Sequence, residues 1–149
     1  MNRFPVMVAS ASMWLLMSAL PSQAQSITLI TAEEAALPPP KGAVAMAARG
    51  VTRGPKIEIA APTGNRAPMR LAWKFQAFGG AKIDTESVRM FYLRGNNVDL
   101  TGRVKSFISE SGIVLPEAQL PPGEHVLRVD LKDNEGRTGT GSFAIKVEP

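Results

Sequence analysis

Residues 127–147 read LRVDLKDNEGRTGTGSFAIKV, and this stretch decides the fold. Apolar and polar residues alternate on both sides of a central segment, which is the pattern of two half-buried strands. The apolar positions are Leu127, Val129, Leu131, Phe143, Ile145 and Val147. Between them, residues 133–136 (Asp-Asn-Glu-Gly) have side chains that favour a tight turn. The stretch therefore predicts an antiparallel hairpin with one apolar face.

The same period of two continues upstream as far as residue 55. It predicts strands at 56–60, 69–76 and 88–92, with short strands at 113–115 and 118–120. The side chains predicted to face the core are Met69, Leu71, Trp73, Phe75, Val88, Met90 and Tyr92. Residues 100–108 lack the alternation and are compatible with a helical turn. Six or seven short strands predict an all-β, immunoglobulin-like two-sheet sandwich, although a small barrel has the same alternation.

The N-terminus has the three-part pattern of a secretory signal peptide over residues 1–24. Arg3 precedes an apolar run of about 15 residues, and Ser22-Gln23-Ala24 supplies the small residues that signal peptidase requires. We expect cleavage after Ala24 and a periplasmic or secreted location. The alternative is a retained anchor, but the run is shorter than the ~20 residues of a spanning helix.

Residues 25–54 are rich in Ala, Pro and Gly and differ from the alternating region that follows. Within them, residues 26–30 predict a strand, and residues 31–34 (Thr-Ala-Glu-Glu) resemble a capped helix start with an acidic first turn. We therefore divide the chain into a signal peptide at 1–24, an extension at 25–54 and a sandwich domain at 55–149.

Composition excludes several kinds of site. The chain has no cysteine and one histidine, His125, so thiolate chemistry is excluded and a catalytic base is scarce. The net charge of +4 allows loose attraction to an anionic surface polymer. The basic residues are too scattered for nucleic acid, since the tightest pair, Arg103 and Lys105, has no interleaved aromatic residue. We predict no catalytic residue, no metal site and no cofactor, and an enzyme would need a site made of carboxylates alone.

For two local patterns we prefer a structural role to a catalytic or metal-binding one. His125 has no second histidine to pair with, so we expect it at a corner or half exposed. Asp130, Asp133 and Glu135 suggest a calcium loop, but their spacing breaks the EF-hand order and Lys132 opposes a cation. We therefore predict a tight turn there.

Two motifs resemble bacterial immunoglobulin-like and fibronectin-type-III-like domains. Leu120-Pro121-Pro122-Gly123 is similar to the corner that leads into the penultimate strand of these domains, and residues 133–136 to the turn before the last strand. Residues 83–88 (Ile-Asp-Thr-Glu-Ser-Val) resemble the start of a middle strand. The resemblance covers about residues 55–148 and implies a fold, since turn and packing motifs say little about function.

The sandwich also resembles, more distantly, periplasmic copper-resistance carriers, which share a Gly corner and a final strand like Phe143-Ala144-Ile145. That resemblance implies a copper site built from histidines and methionines. After cleavage this chain would keep only Met46, Met69 and Met90, and its sole histidine lies at a corner. Copper needs clustered imidazole or sulfur ligands, so we expect the fold to be shared and the metal site to be absent.

The outward row of the third predicted strand is the most suggestive surface feature. If Val88, Met90 and Tyr92 face the core, then Arg89, Phe91 and Leu93 face outward, and Arg128 neighbours them in an immunoglobulin-like order. Exposed apolar residues rimmed by charge are typical of an interaction surface. The alternative is that the 25–54 extension covers Phe91 and Leu93. We expect a non-enzymatic binding module that contacts an envelope protein or surface polymer, with a small-ligand or metal carrier as the alternative.

Overall fold

The computed structural model describes residues 25–39 and 53–149, which form nine strands and two short helices. The strands are β1 (Ser26–Thr28), β2 (Lys56–Ile59), β3 (Met69–Gln76), β4 (Ile83–Tyr92), β5 (Val98–Asp99), β6 (Ile108–Ser109), β7 (Gly112–Gln119), β8 (Gly123–Asp133) and β9 (Thr138–Val147). The helices are α1 (Ala32–Ala35) and α2 (Thr101–Val104), and a 3₁₀ turn at Lys105–Phe107 follows α2. Residues 100–108, which the sequence left open to a helical turn, are helical from Thr101 to Phe107.

The strands form two packed sheets, which confirms the all-β, two-sheet prediction. The five-stranded sheet has the order β1-β7-β3-β2, and β6 also pairs with β7. The four-stranded sheet has the order β5-β4-β8-β9. All the pairings are antiparallel except that of β1 with β7, which is parallel.

Alternate residues of the long strands fill the space between the sheets, as the period of two predicts. The buried aromatic residues Trp73 and Tyr92 lie there with Leu115 and Leu127. Every residue predicted to face inward on β3, β4 and β8 is buried, whereas Phe143 on β9 is only partly buried. Burial of each large side chain stabilises the fold by about 1.5–3 kcal/mol, so this core is the main source of stability.

One strand takes the place of the two short strands predicted at 113–115 and 118–120. In β7, Leu115 lies opposite Leu71 and Ala118 lies opposite Met69, so β7 has one extra residue in this interval. Pro116 lies between Leu115 and Ala118. Proline has no N–H to donate, and a bulge is a position where the ladder does not need one. Because of this bulge, β7 continues through Pro116, whereas the sequence predicts that the strand is interrupted there.

Glycines allow the edges of the two sheets to approach each other at β2 and β9. A Cβ atom at Gly139 would clash with the carbonyl of Pro55, and one at Gly54 would clash with the carbonyl of Thr138. Any larger residue at either position would force these two backbones apart. Strands β2 and β9 are each the edge strand of their sheet. Their close approach limits access to these edges, and open edges are sites of unwanted strand pairing.

The N-terminal residues contribute to both the sheet and the core. The capped helix start predicted there is confirmed as α1, and the strand predicted at 26–30 is confirmed over 26–28 as β1. Leu29 and Ile30 follow β1 and are fully buried among the core residues. Thr31 Oγ1 accepts a hydrogen bond from the Glu34 amide at 3.2 Å, and the Thr31 amide donates to Glu34 Oε2 at 2.9 Å, forming a capping box. The predicted signal peptide at 1–24 and Met46 lie outside the described residues.

Candidate functional site

The outer face of the four-stranded sheet brings three of the four predicted site residues together. Phe91 on β4 lies opposite Arg128 on β8, and Arg89 lies opposite Asp130. Strands β4 and β8 are neighbours although about 40 residues separate these partners in the chain. Cross-strand partners have Cβ atoms about 5 Å apart, so the side chains of each pair are within contact distance.

Arg128 links the aromatic ring to a carboxylate. Its guanidinium carbon lies 5.3 Å from the centre of the Phe91 ring. Its Nε and Nη2 atoms donate to Asp130 Oδ2 at 3.0 and 2.7 Å. A cation over an aromatic face is stabilised by about 0.5–1 kcal/mol at an exposed site. Phe91 and Arg128 are both half-buried, so part of the ring and part of the guanidinium remain accessible to solvent.

Arg89 is exposed but folds back onto its own strand. Its Nη1 atom donates to the carbonyls of Glu86 and Val88, both at 2.8 Å. These bonds leave the positive charge at the surface and commit one nitrogen to the backbone. Arg89 therefore contributes a positive charge to this face, and the two hydrogen bonds restrict the conformation of its side chain.

Leu93 corrects the sequence prediction, because it is buried (8% exposed) rather than facing outward. The strand ends at Tyr92, so the alternation that predicted an outward Leu93 no longer applies. The next residues are tied to the N-terminal segment, since the Gly95 amide donates to the carbonyl of Pro38 and Arg94 Nη1 donates to that of Leu37. Of the four residues predicted to form an interaction face, Arg89, Phe91 and Arg128 remain at this surface.

A shallow, open cleft of about 730 Å³ lies beside Phe91 on the same sheet face. Its charged lining consists of Asp84, Arg89, Arg128, Asp130 and Lys132. Ligand clefts commonly have volumes of about 300–1,000 Å³. Three cations and two carboxylates alternate across it, so this surface suits a ligand with both charges or with hydrogen-bonding groups.

His125 is buried and bonds the carbonyl of Pro121 in the 120–123 corner, so the corner position is confirmed and the half-exposed alternative is wrong. Its Nε2 atom lies 2.8 Å from the carbonyl of Pro121, which can only accept, so Nε2 carries the proton. Its Nδ1 atom therefore accepts from the Tyr92 hydroxyl, 3.0 Å away. Burial raises the pKa of Tyr92, which keeps this hydroxyl protonated. Both ring nitrogens are thus occupied by structural contacts.

Asp133 forms the tight turn that the sequence predicts. Its Oδ1 atom accepts from the amides of Glu135 and Arg137 at 3.0 and 2.9 Å, and its Oδ2 atom accepts from Arg137 Nε at 2.7 Å. Burial acts to raise the pKa of Asp133, but the hydrogen bonds from Arg137 and Glu135 outweigh it, so the pKa lies below its ordinary value. The carboxylate therefore organises the β8–β9 turn.

The methionines considered as metal ligands lie in the core. Met69 and Met90 are 2% and 0% exposed, as expected for inward positions on β3 and β4. Within residues 25–39 and 53–149, no group of three or more His, Cys, Asp or Glu side chains is arranged to hold a metal ion.

A second cleft, of about 460 Å³, lies on the outer face of the five-stranded sheet. Its residues, which include Arg70, Ala72, Lys74 and Val114, are not among the predicted site residues. The available signal was Val114, an apolar residue at an outward position between the inward Ile113 and Leu115. A single such residue is common on protein surfaces and indicates nothing alone.

Comparison with protein-family models, with curated proteins and with solved structures finds no match to this chain. None of the helices in the described residues is both long enough and apolar enough to cross a membrane.

Proposed function

We propose that this chain is an exported, non-enzymatic binding module of the cell envelope. It contacts another envelope protein or an anionic surface polymer through the face formed by Arg89, Phe91 and Arg128. The stacking of Arg128 on Phe91 carries the proposal, because a half-buried aromatic ring under a guanidinium combines apolar area with charge. Aromatic residues and arginine are the side chains most enriched at the centres of protein interfaces.

Export is inferred from the pattern of residues 1–24, which has a basic start, an apolar run and a small-residue cleavage motif. A periplasmic or secreted protein without cysteine relies on its hydrophobic core for stability, and this domain has an extensive one. A binding role also agrees with the engagement of His125, whose ring nitrogens are not free to act as a base.

We infer that the fold is immunoglobulin-like from its strand order. In that fold, strands A-B-E-D form one sheet and C-F-G the other, with C′ added beside C in the variable type. Here β2-β3-β7-β6 has the order of A-B-E-D, and β5-β4-β8-β9 has that of C′-C-F-G. The parallel strand β1, which adds to the same edge of β7 as β6, is a departure from that pattern. In this assignment Phe91 and Arg128 lie on the C and F strands, at the middle of their sheet.

The test is affinity capture, with crosslinking, of the full chain from envelope extracts of its host. We expect one enriched protein or polymer, and we expect Phe91→Ala to weaken its binding at least tenfold, as truncation of an interface anchor does. Phe78→Ala is the matched control, because Phe78 is exposed (41%) and lies outside this sheet face. Equal capture by the wild type and Phe91→Ala would contradict the proposal.

A further inference from the structure

We propose a second binding site, on the outer face of the five-stranded sheet, that takes an acidic peptide segment of a partner protein. It lies on the opposite sheet from Phe91 and does not depend on the function proposed above. Its three parts are an apolar floor, a cleft that the backbone keeps open, and two cations beside the floor.

The floor is a row of small and aliphatic side chains from β3, from β7 and from the residue that follows β2. Ala72 on β3 lies opposite Val114 on β7, and the Ala60 amide donates to the Ala72 carbonyl at 2.9 Å on the other side. Val114 is 42% exposed, although valine is usually buried. A partner that covered this row would remove apolar surface from water, which favours association.

The cleft stays open because one of its positions cannot carry a side chain. Gly112 lies opposite Lys74, with a φ of +150°, and a Cβ atom there would clash with the carbonyl of Trp73. Ala61 and Thr63 form one wall and Ser111 and Gly112 the other. Two walls and a narrow floor fit an extended chain better than they fit a flat membrane surface.

The two cations are Arg70 and Lys74, which flank Ala72 on the same face of β3 and are exposed. Among the described residues, neither has a carboxylate within 4 Å. Glu58 is the cross-strand neighbour of Lys74, but its carboxylate bonds Lys56. The Cα atoms of Arg70 and Lys74 are about 13 Å apart at the normal strand rise, so both long side chains reach a group above Ala72.

This arrangement is complementary to one carboxylate flanked by small apolar side chains. The carboxylate would lie between the guanidinium and the ammonium, and the apolar groups would cover Ala72 and Val114. The Thr63 hydroxyl at the wall of the cleft can bond a peptide backbone. The face at Phe91 differs, because its Arg128 already has a carboxylate partner, Asp130, at 2.7 Å.

The test is an NMR titration of the isotopically labelled full chain with acetyl-Ser-Val-Ala-Glu-Ala-Val-Ser-amide. We expect amide shifts centred on Ala60, Ala72 and Val114. Replacing Glu by Gln in the peptide should weaken binding about 3- to 10-fold. Arg70→Gln and Lys74→Gln should each weaken it about 3- to 5-fold, the loss expected for one exposed ion pair. Binding should also weaken as salt is added.

Lys146→Gln is the matched control, because it removes one exposed cation from β9 of the other sheet, outside both proposed sites, and should leave peptide binding unchanged. Equal affinity for the Glu and Gln peptides would overturn the proposal, as would the absence of shifts at millimolar peptide. Shifts centred on Phe91 would overturn it as well, and would support the function proposed above. Arg70-dependent binding to phosphatidylglycerol vesicles without peptide binding would assign the cations to a lipid surface and reject the peptide.

Discussion

The β8–β9 hairpin and the N-terminal segment 25–39 are each held by a carboxylate and an arginine, but over very different lengths of chain. In the hairpin, Asp133 binds Arg137, four residues later. In the N-terminal segment, Glu34 binds Arg103, which is 69 residues away, through two hydrogen bonds of 2.7 and 2.8 Å. Arg103 also donates to the carbonyl of Leu29 at 2.8 Å.

The difference teaches where sequence patterns carry information. The hairpin is a local structure, so its alternation, its turn and its ion pair all lie within about 25 residues of chain. The N-terminal segment has a local capping box, but its place on the domain depends on Arg94, Gly95, Arg103 and the edge of β7. It looks like a peripheral extension in the sequence because none of these partners is near it in the chain.

The largest expected effect tests whether the N-terminal segment belongs to the core. Leu29 and Leu127 are both 0% exposed, so Leu29→Ala and Leu127→Ala should each lower the free energy of unfolding by about 3 kcal/mol. Urea denaturation of the full chain measures both. Val114→Ala is the control and should change stability by less than about 0.5 kcal/mol. If Leu29→Ala lowered the free energy of unfolding by less than about 1 kcal/mol while Leu127→Ala had the full effect, the segment would be peripheral.

The next prediction tests whether the hairpin also depends on a contact with a distant part of the chain, that of Gly139 with Pro55. Gly139→Ala would force a methyl group against the carbonyl of Pro55, and we expect a loss of about 2 kcal/mol. Gly102→Ala is the matched control. It lies in α2 with no atom within 4 Å of the added carbon, so it should stabilise the protein by about 0.5–1 kcal/mol. Thermal unfolding of the two variants should therefore shift in opposite directions, and equal shifts would contradict the close approach of β2 and β9.

The smallest expected effect concerns the Glu34–Arg103 pair. The hydrogen bond from Arg103 is the main cause that lowers the pKa of Glu34 from 4.5 to about 2. A carboxyl with a lowered pKa stabilises the fold above its unfolded value, and this contribution is lost as the pH falls from about 4.5 to 2. Arg103 is 35% exposed, so screening limits the loss for Glu34→Gln at pH 7 to about 1 kcal/mol.

Stability measured against pH checks this prediction. Glu34→Gln should flatten the profile between pH 4.5 and 2 without removing its slope, because the pKa of Asp133 is also lowered. Lys105→Gln is the control, since Lys105 pairs with Glu86 at 3.8 Å and both side chains are highly exposed. An unchanged acid profile for Glu34→Gln would mean that the pair does not hold the segment.

Much of the architecture was predictable, and the errors have local causes. The inward positions of β3, β4 and β8 and the turn at Asp133 were correct because a period of two and turn chemistry are read from adjacent residues. The split of β7 was wrong because Pro116 reads as a break, whereas a bulge accommodates it. Of the candidate site, the pairing of Phe91 with Arg128 followed from strand order, but the burial of Leu93 did not.

The sequence by itself determined the all-β class, the β8–β9 hairpin, its turn and the capped start of α1, because each depends on residues within one or two strand lengths. Only the tertiary structure decided that residues 25–39 add a strand to one sheet and side chains to the core. It also decided that Arg103 bonds Glu34 and that Gly139 lies against Pro55. These contacts join residues about 70 to 90 positions apart. The composition of one segment cannot specify a distant partner, since that partner is chosen by the packing of the two sheets.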